Sequence, residues 1–194
     1  IQQINLPQMD PSRRVLGVIR PSTEIIGEYT RSGKVGILAT AGTVASLSYP
    51  IEIARFFPAL RVYQQACPMW VPLVENNEFN NPGADYFIES CLGKLMDQDP
   101  GIDAILLACT HYPLLMDKIR QFLPPGVDLL SQGPLVAASL LNYLDRHPEI
   151  NQRLSKNGQC RFFTTDSAED FDNHASIFFG RTISSLHLEL GTGG

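Results

Sequence analysis

The stretch that decides the fold is IDAILLACTHYPLL, residues 102–115. From Ile102 to Ala108 the run is apolar except at Asp103. Such a run reads as an interior strand of a parallel sheet, buried on both faces, since a half-buried strand would alternate. The character then changes within one residue to Cys109, Thr110 and His111. Pro113 follows, and the spacing of Leu114, Leu115, Ile119 and Phe122 predicts a helix, with the proline in its first turn where no N–H is missed. A thiol, a hydroxyl and an imidazole therefore stand where a strand ends and a helix begins. In open α/β sheets that edge is where ligands bind. Unpaired N–H groups and the dipole at a helix start also favour a thiolate, so Cys109 is expected to be an activated thiol.

The same alternation extends in both directions. On the amino side, RRVLGVI at 13–19 predicts a short strand stopped by Pro21, and Ser22 or Thr23 is expected to cap a helix from Glu24 to Gly33. KVGILAT at 34–40 predicts a second apolar strand running into a turn at Ala41-Gly42-Thr43. A helix is expected around Tyr49–Phe57. LRVYQQA at 60–66 alternates and predicts a strand nearer the sheet edge, followed by a short helical piece carrying Glu75. Asn76–Pro82 is a loop by composition, and Ala84–Met96 has helical spacing. On the carboxyl side, strands are expected at Val127–Leu130 and Arg161–Thr165, and helices at Pro134–Leu144 and Phe171–Phe179. Asp166 or Ser167 is placed to cap the last helix. Residues 1–12 (IQQINLPQMDPS) read as the tail of an element, and the final GTGG as frayed. The fold class is α/β, a mostly parallel sheet flanked by helices.

Composition narrows the function. The chain has 194 residues, 44% of them hydrophobic and 18% charged, and a net charge of −5. No Lys/Arg block occurs, which argues against a nucleic-acid partner, and no apolar run approaches the length of a membrane span. Cys67, Cys91, Cys109 and Cys160 have no CxxC spacing. A disulfide framework or zinc site is thus not expected, and a reducing cytoplasm is. No Gly-rich phosphate loop of standard spacing is present. Lys34, Lys94, Lys118 and Lys156 fall on polar faces or beside turns, which disfavours a pyridoxal phosphate Schiff base.

The candidate chemistry centres on Cys109 with His111 two residues on, close enough to exchange protons with a thiol or a substrate. A Cys-His hydrolase with an oxyanion hole at Thr110 stays open on these residues. Glu75 reads most simply as a solvated carboxylate, and Thr40 and Thr43 as turn formers. Yet Thr40–Thr43 and Cys109–Thr110 both lie at carboxyl ends of strands, where one ligand would meet both.

ACTHYPLL at 108–115 resembles the second catalytic-cysteine motif of bacterial glutamate racemases. GVIRP at 17–21, VGILATAGTVASLSY at 35–49, ACPMWVPLVE at 66–75 and FFTTDSAEDF at 162–171 extend the similarity in the family's order. The resemblance implies cofactor-independent interconversion of L- and D-glutamate, supplying D-glutamate for peptidoglycan, with two cysteines flanking the substrate α-carbon. It implies that Cys109 is the second of them, abstracting from L-glutamate. It further implies that Thr110 bonds the substrate carboxylate, that His111 and Glu75 assist, and that Thr40 and Thr43 line the pocket. Family members also carry Asp-Ser, Tyr-Gly and Cys-Asn-Thr motifs, the last with the first catalytic cysteine, and nothing in this sequence matches them. Cys67 aligns elsewhere and cannot fill that role. The expected organisation is an intact second domain at 22–130, with 1–21 and 131–194 as incomplete parts of the first. One cysteine of a pair implies an inactive chain. The exposed apolar face of a split domain implies self-association, a homodimer among its forms. An aspartate racemase of the same superfamily and a non-catalytic amino-acid-binding module are the alternatives.

Overall fold

The computed structural model describes residues 14–190, together with Gln8. They fall into two compact units, one through Arg146 and one from His147 onward.

The first unit is built on a four-stranded parallel sheet in the order β2-β1-β3-β4. Its strands are β1 (Lys34–Ala39), β2 (Arg61–Ala66), β3 (Ala104–Leu107) and β4 (Asp128–Ser131). Between them, in chain order, run α1 (Ile19–Thr23) ahead of β1, then α2 (Ala41–Ser46), α3 (Ser48–Phe56), α4 (Trp70–Glu75) and α5 (Pro82–Met96). A 3₁₀ turn at Tyr112–Leu115 leads into α6 (Met116–Phe122), and α7 (Gln132–Arg146) follows β4. The α/β fold expected from the sequence is thus present, with β2 at the edge.

Strands β1 and β3 are central because both of their faces are covered. Leu38, Ile105 and Leu107 point into one core with Trp70, Ile88, Leu95 and Ile119. Val35, Ile37, Ala39, Leu106 and Ala108 point into the other with Ile26, Tyr49 and Ile53. Burying a leucine- or isoleucine-sized side chain stabilises by roughly 1.5–3 kcal/mol, so each such residue of these short strands contributes on that scale. Gly36 admits the close approach this requires. A Cβ there would lie 2.7 Å from Leu95 Cδ2 and 3.2 Å from Ile105 Cγ1.

Polar groups are pushed to the sheet's two ends. At the amino end Lys34 Nζ and Tyr63 Oη each donate to Asp99 at 2.7 Å, and Gly101 N–H donates at 2.8 Å. Lys34 first, then Tyr63, hold the Asp99 carboxyl down at about 2. Asp103, the one charge in the opening run, accepts from the Arg31 and Ser32 amides at 3.0 and 2.9 Å.

Several expectations fail for identifiable reasons. Residues 14–18 form no strand; Val15, Leu16 and Val18 are exposed, and a helix starts at Ile19. Pro21 lies within α1 because a first-turn residue needs no N–H partner. Ser22 and Thr23 are buried inside that helix and cap nothing; Thr23 Oγ1 donates back to the Arg20 carbonyl. In place of a helix from Glu24 there is a 3₁₀ turn at Ile26–Glu28. Ala41-Gly42-Thr43 is the first turn of α2, because the Thr40 side chain accepts from Thr43 N–H. Residues 1–7, 9–13 and 191–194, including most of the expected amino-terminal tail and the GTGG end, lie outside the described residues.

The second unit contains α8 (Pro148–Asn151), β5 (Phe162–Thr164), α9 (Ala168–Phe179) and β6 (Ser185–His187), with β5 and β6 parallel. Ser167 caps α9 by accepting from Asp170 N–H at 3.2 Å. The β6 strand has no counterpart in the sequence reading.

The Gly36→Ala variant is expected to lose about 1–3 kcal/mol of stability through overpacking against buried Leu95 and Ile105. Urea unfolding of the chain checks this; an unchanged midpoint would contradict the account of the β1–β3 core.

Candidate active site

The register of β1 with β3 pairs Leu38 with Leu107. Two residues further on, Thr40 and Cys109 are carried to the same carboxyl edge. On the other side of β1, Ala39 pairs with Ala66, which brings Cys67 to that edge too. Cys109 N-terminally borders the 3₁₀ turn, and the Tyr112 N–H bonds back to its carbonyl at 3.2 Å. The candidate residues thus arrive from β1, β3 and α4.

His111 is the connector. Its Nε2 lies 3.2 Å from Glu75 Oε1, its Nδ1 3.9 Å from the Cys109 sulfur and 3.4 Å from Thr110 Oγ1. A carboxylate only accepts, so the Glu75 contact favours the tautomer with hydrogen on Nε2. That leaves the Nδ1 lone pair facing the thiol and the Thr110 hydroxyl. The Glu75 side chain is 54% exposed and that of His111 25%, so the pair sits at the rim rather than in the core. Thr40 and Thr43 form their own couple, with hydroxyls 3.0 Å apart.

The state of the thiol differs from the sequence expectation. Burial pushes the Cys109 thiol above its ordinary value, and the Glu75 charge adds to this. The amides of His111, Tyr112 and Thr110 act the other way and do not overcome it. Removing an ion from water outweighs a few oriented N–H groups here. Cys109 is therefore a neutral thiol in this state.

Two further side chains border the site, and the sequence reading passed over both. Tyr49, read there only as part of a helix, is buried against Ala39 and Ala108, the residues preceding Thr40 and Cys109. Its phenol is pushed up to about 12, mainly by burial. Tyr112 packs edge-on against Trp70 at 4.8 Å and donates its hydroxyl to the Cys67 carbonyl at 3.1 Å. It thereby fastens the segment after Cys109 to the end of β2. A separate open cleft of about 490 Å³, lined in part by Val18, Arg20, Ile51 and Arg55, holds none of the candidate residues. Among the described residues no group of three His, Cys, Asp or Glu is placed to hold a metal ion, and no helix is long and apolar enough to cross a membrane.

A thiol, an imidazole–carboxylate pair and two threonines at the carboxyl edge of a parallel α/β sheet are groups suited to acid–base chemistry on a small molecule. Comparison with known proteins gives the class a family. No family model matches the chain. The glutamate racemase of Lactiplantibacillus plantarum is 33% identical over 192 residues, covering 98% of this chain and 67% of that protein. That of Streptococcus pyogenes is 36% identical over 179 residues, covering 91% and 66%. The crystal structure of a glutamate racemase isoform from Bacillus anthracis superposes with a TM-score of 0.84 at 32% identity, covering 97% of this chain and 69% of that one. The chain belongs to the glutamate racemase family. It spans about two-thirds of the length of these relatives.

The alkylation rate of Cys109 by iodoacetamide is expected to rise with pH to a midpoint above the ordinary thiol value of 9.0. Peptide-resolved labelling across pH measures it; a midpoint below that value would show that the amides win over burial.

Proposed function

We propose that this chain carries the Cys109 half of a site that interconverts L- and D-glutamate without a cofactor. The observation that carries the reading is the joining of Cys109, Thr110 and Glu75 through His111 at the strand edge that also holds Thr40 and Thr43. The family membership supports the substrate.

An amino-acid α-proton is very weakly acidic. Its removal needs a base held against the Cα–H bond and donors aimed at the carboxylate where charge develops. In this reading Thr110 bonds that carboxylate, and Thr40 and Thr43 line the pocket. Cys109 exchanges a proton with the α-carbon on one face. As a thiol it protonates the carbanion to give L-glutamate; as a thiolate it removes the proton from L-glutamate. His111 Nδ1 is the acceptor through which the thiol is discharged, and Glu75 stabilises the imidazolium that results. Proton exchange on the other face belongs to a second cysteine, which Cys67 does not supply because it is buried in the core. The chain alone is therefore inactive as a racemase. The wider reading is D-glutamate supply for peptidoglycan in the cytoplasm. It also treats 22–130 as one domain, with 1–21 and 131–194 belonging to another, whose apolar faces favour a homodimer.

In D₂O the chain is expected to exchange the α-hydrogen of one glutamate enantiomer slowly and to produce none of the other. Proton NMR of the α-position and chiral chromatography read both, with Cys109→Ser expected to abolish the exchange. Full turnover by the chain alone, or exchange that survives Cys109→Ser, contradicts the proposal.

A further inference from the structure

The contact of His111 with Glu75 joins two chain segments at the rim of the site. With the Glu75 side chain 54% exposed, such a pair contributes little by itself and does not fix the segments that carry it. A buried layer lies directly beneath. Tyr112, the residue after His111, is fully buried, and so is Trp70, the first residue of α4, the helix that ends at Glu75. The Tyr112 hydroxyl donates to the Cys67 carbonyl at 3.1 Å, and its ring meets Trp70 edge-on at 4.8 Å. The backbone N–H of Trp70 reaches the same carbonyl at 3.2 Å, and its indole N–H donates to the Phe87 carbonyl at 3.2 Å. We propose that Tyr112 is a positioning residue. Its hydroxyl, set on the Cys67 carbonyl, fixes α4 against the turn after Cys109 and so holds His111 Nε2 on Glu75 and Nδ1 toward the thiol.

The hydroxyl does what packing alone does not. Val74 and Leu115 bury the two segments in one core with Trp70 and Tyr112, but apolar attraction has no direction and tolerates sliding. A hydrogen bond weakens steeply with distance and angle, so it fixes the offset. Small offsets matter here because Glu75 stands about 7.5 Å along the helix from Trp70, which enlarges any tilt at the anchored end. On the other side, the Tyr112 N–H bonds the Cys109 carbonyl and the Leu114 N–H bonds that of His111, both at 3.2 Å. Cys109 and His111 therefore move with Tyr112. The consequence for glutamate chemistry rests on the reading of Cys109 and His111 above; the placement of the imidazole does not.

Tyr112→Phe keeps the ring and leaves the Cys67 carbonyl its bond from Trp70 N–H, so no buried acceptor is orphaned. In the 194-residue chain, ¹⁵N NMR of the neutral His111 imidazole reads the ratio of its two N–H forms, assigned by their loss in His111→Gln. The unaltered chain is expected to carry the hydrogen mainly on Nε2. Tyr112→Phe is expected to raise the Nδ1–H form relative to it by about 2–10-fold, the scale of one hydrogen bond. In a Glu75→Ala background the same substitution is expected to change nothing further, because the hydroxyl acts through that pair. Gly36→Ala, destabilised in the β1–β3 core, is expected to keep the unaltered ratio. An unchanged ratio in Tyr112→Phe, an equal change with and without Glu75, or a shift in Gly36→Ala would overturn the proposal. No glutamate is present, so failure of the glutamate reading appears in the α-hydrogen exchange and leaves these outcomes legible.

Discussion

Because β1 and β3 are covered on both sides, every hydrogen-bonding side chain in the middle of the sheet has to leave through its ends. The amino end disposes of them structurally: Asp99 binds Lys34 and Tyr63, and Asp103 ties the 31–32 turn to the start of β3. The carboxyl end collects Thr40, Cys67 and Cys109 from adjacent strands in register. The chemistry of the site is thus a consequence of the sheet's burial. A polar residue placed two positions earlier in β3 would be buried without a partner, which is destabilising by about 1–3 kcal/mol.

At that edge the decisive competition is between desolvation and hydrogen bonding around one sulfur. Three backbone amides favour the Cys109 thiolate, yet burial and the Glu75 charge keep the thiol protonated. A resting thiol suits a group that gives a proton as well as taking one. In the proposed reaction its discharge runs through His111, whose Nδ1 is left as an acceptor by the Nε2 contact with Glu75. The rim carboxylate therefore acts on the thiol in two opposed ways under that proposal: it raises the sulfur's proton affinity and supports the imidazole that would accept its proton.

The parts of the fold legible in the sequence were those where one force dominates. KVGILAT and IDAILLA are apolar without alternation, and only an interior parallel strand satisfies that. RRVLGVI looks similar, but Val15, Leu16 and Val18 stay exposed, and residues 14–18 form no strand. Ala41-Gly42-Thr43 carries turn residues, yet one hydrogen bond from Thr43 N–H to Thr40 converts them into a helix start. The position of Cys109 at a strand–helix junction could be read directly. Its protonation state could not, since burial is a property of the packed unit. Tyr49 escaped notice for the same reason: its place beneath Thr40 and Cys109 depends on where α3 lies, and spacing along the chain says nothing of it.

Glutamate is expected to sit at the carboxyl edge of β1 and β3. Titration of the isotope-labelled chain with glutamate, followed by amide NMR, tests this most directly. Shifts at Thr40, Thr43, Thr110 and His111, with little change around Asp99 and Asp103, are the predicted result. Shifts confined to the cleft around Arg20 and Arg55, or none at the Cys109 edge at saturating glutamate, would contradict it.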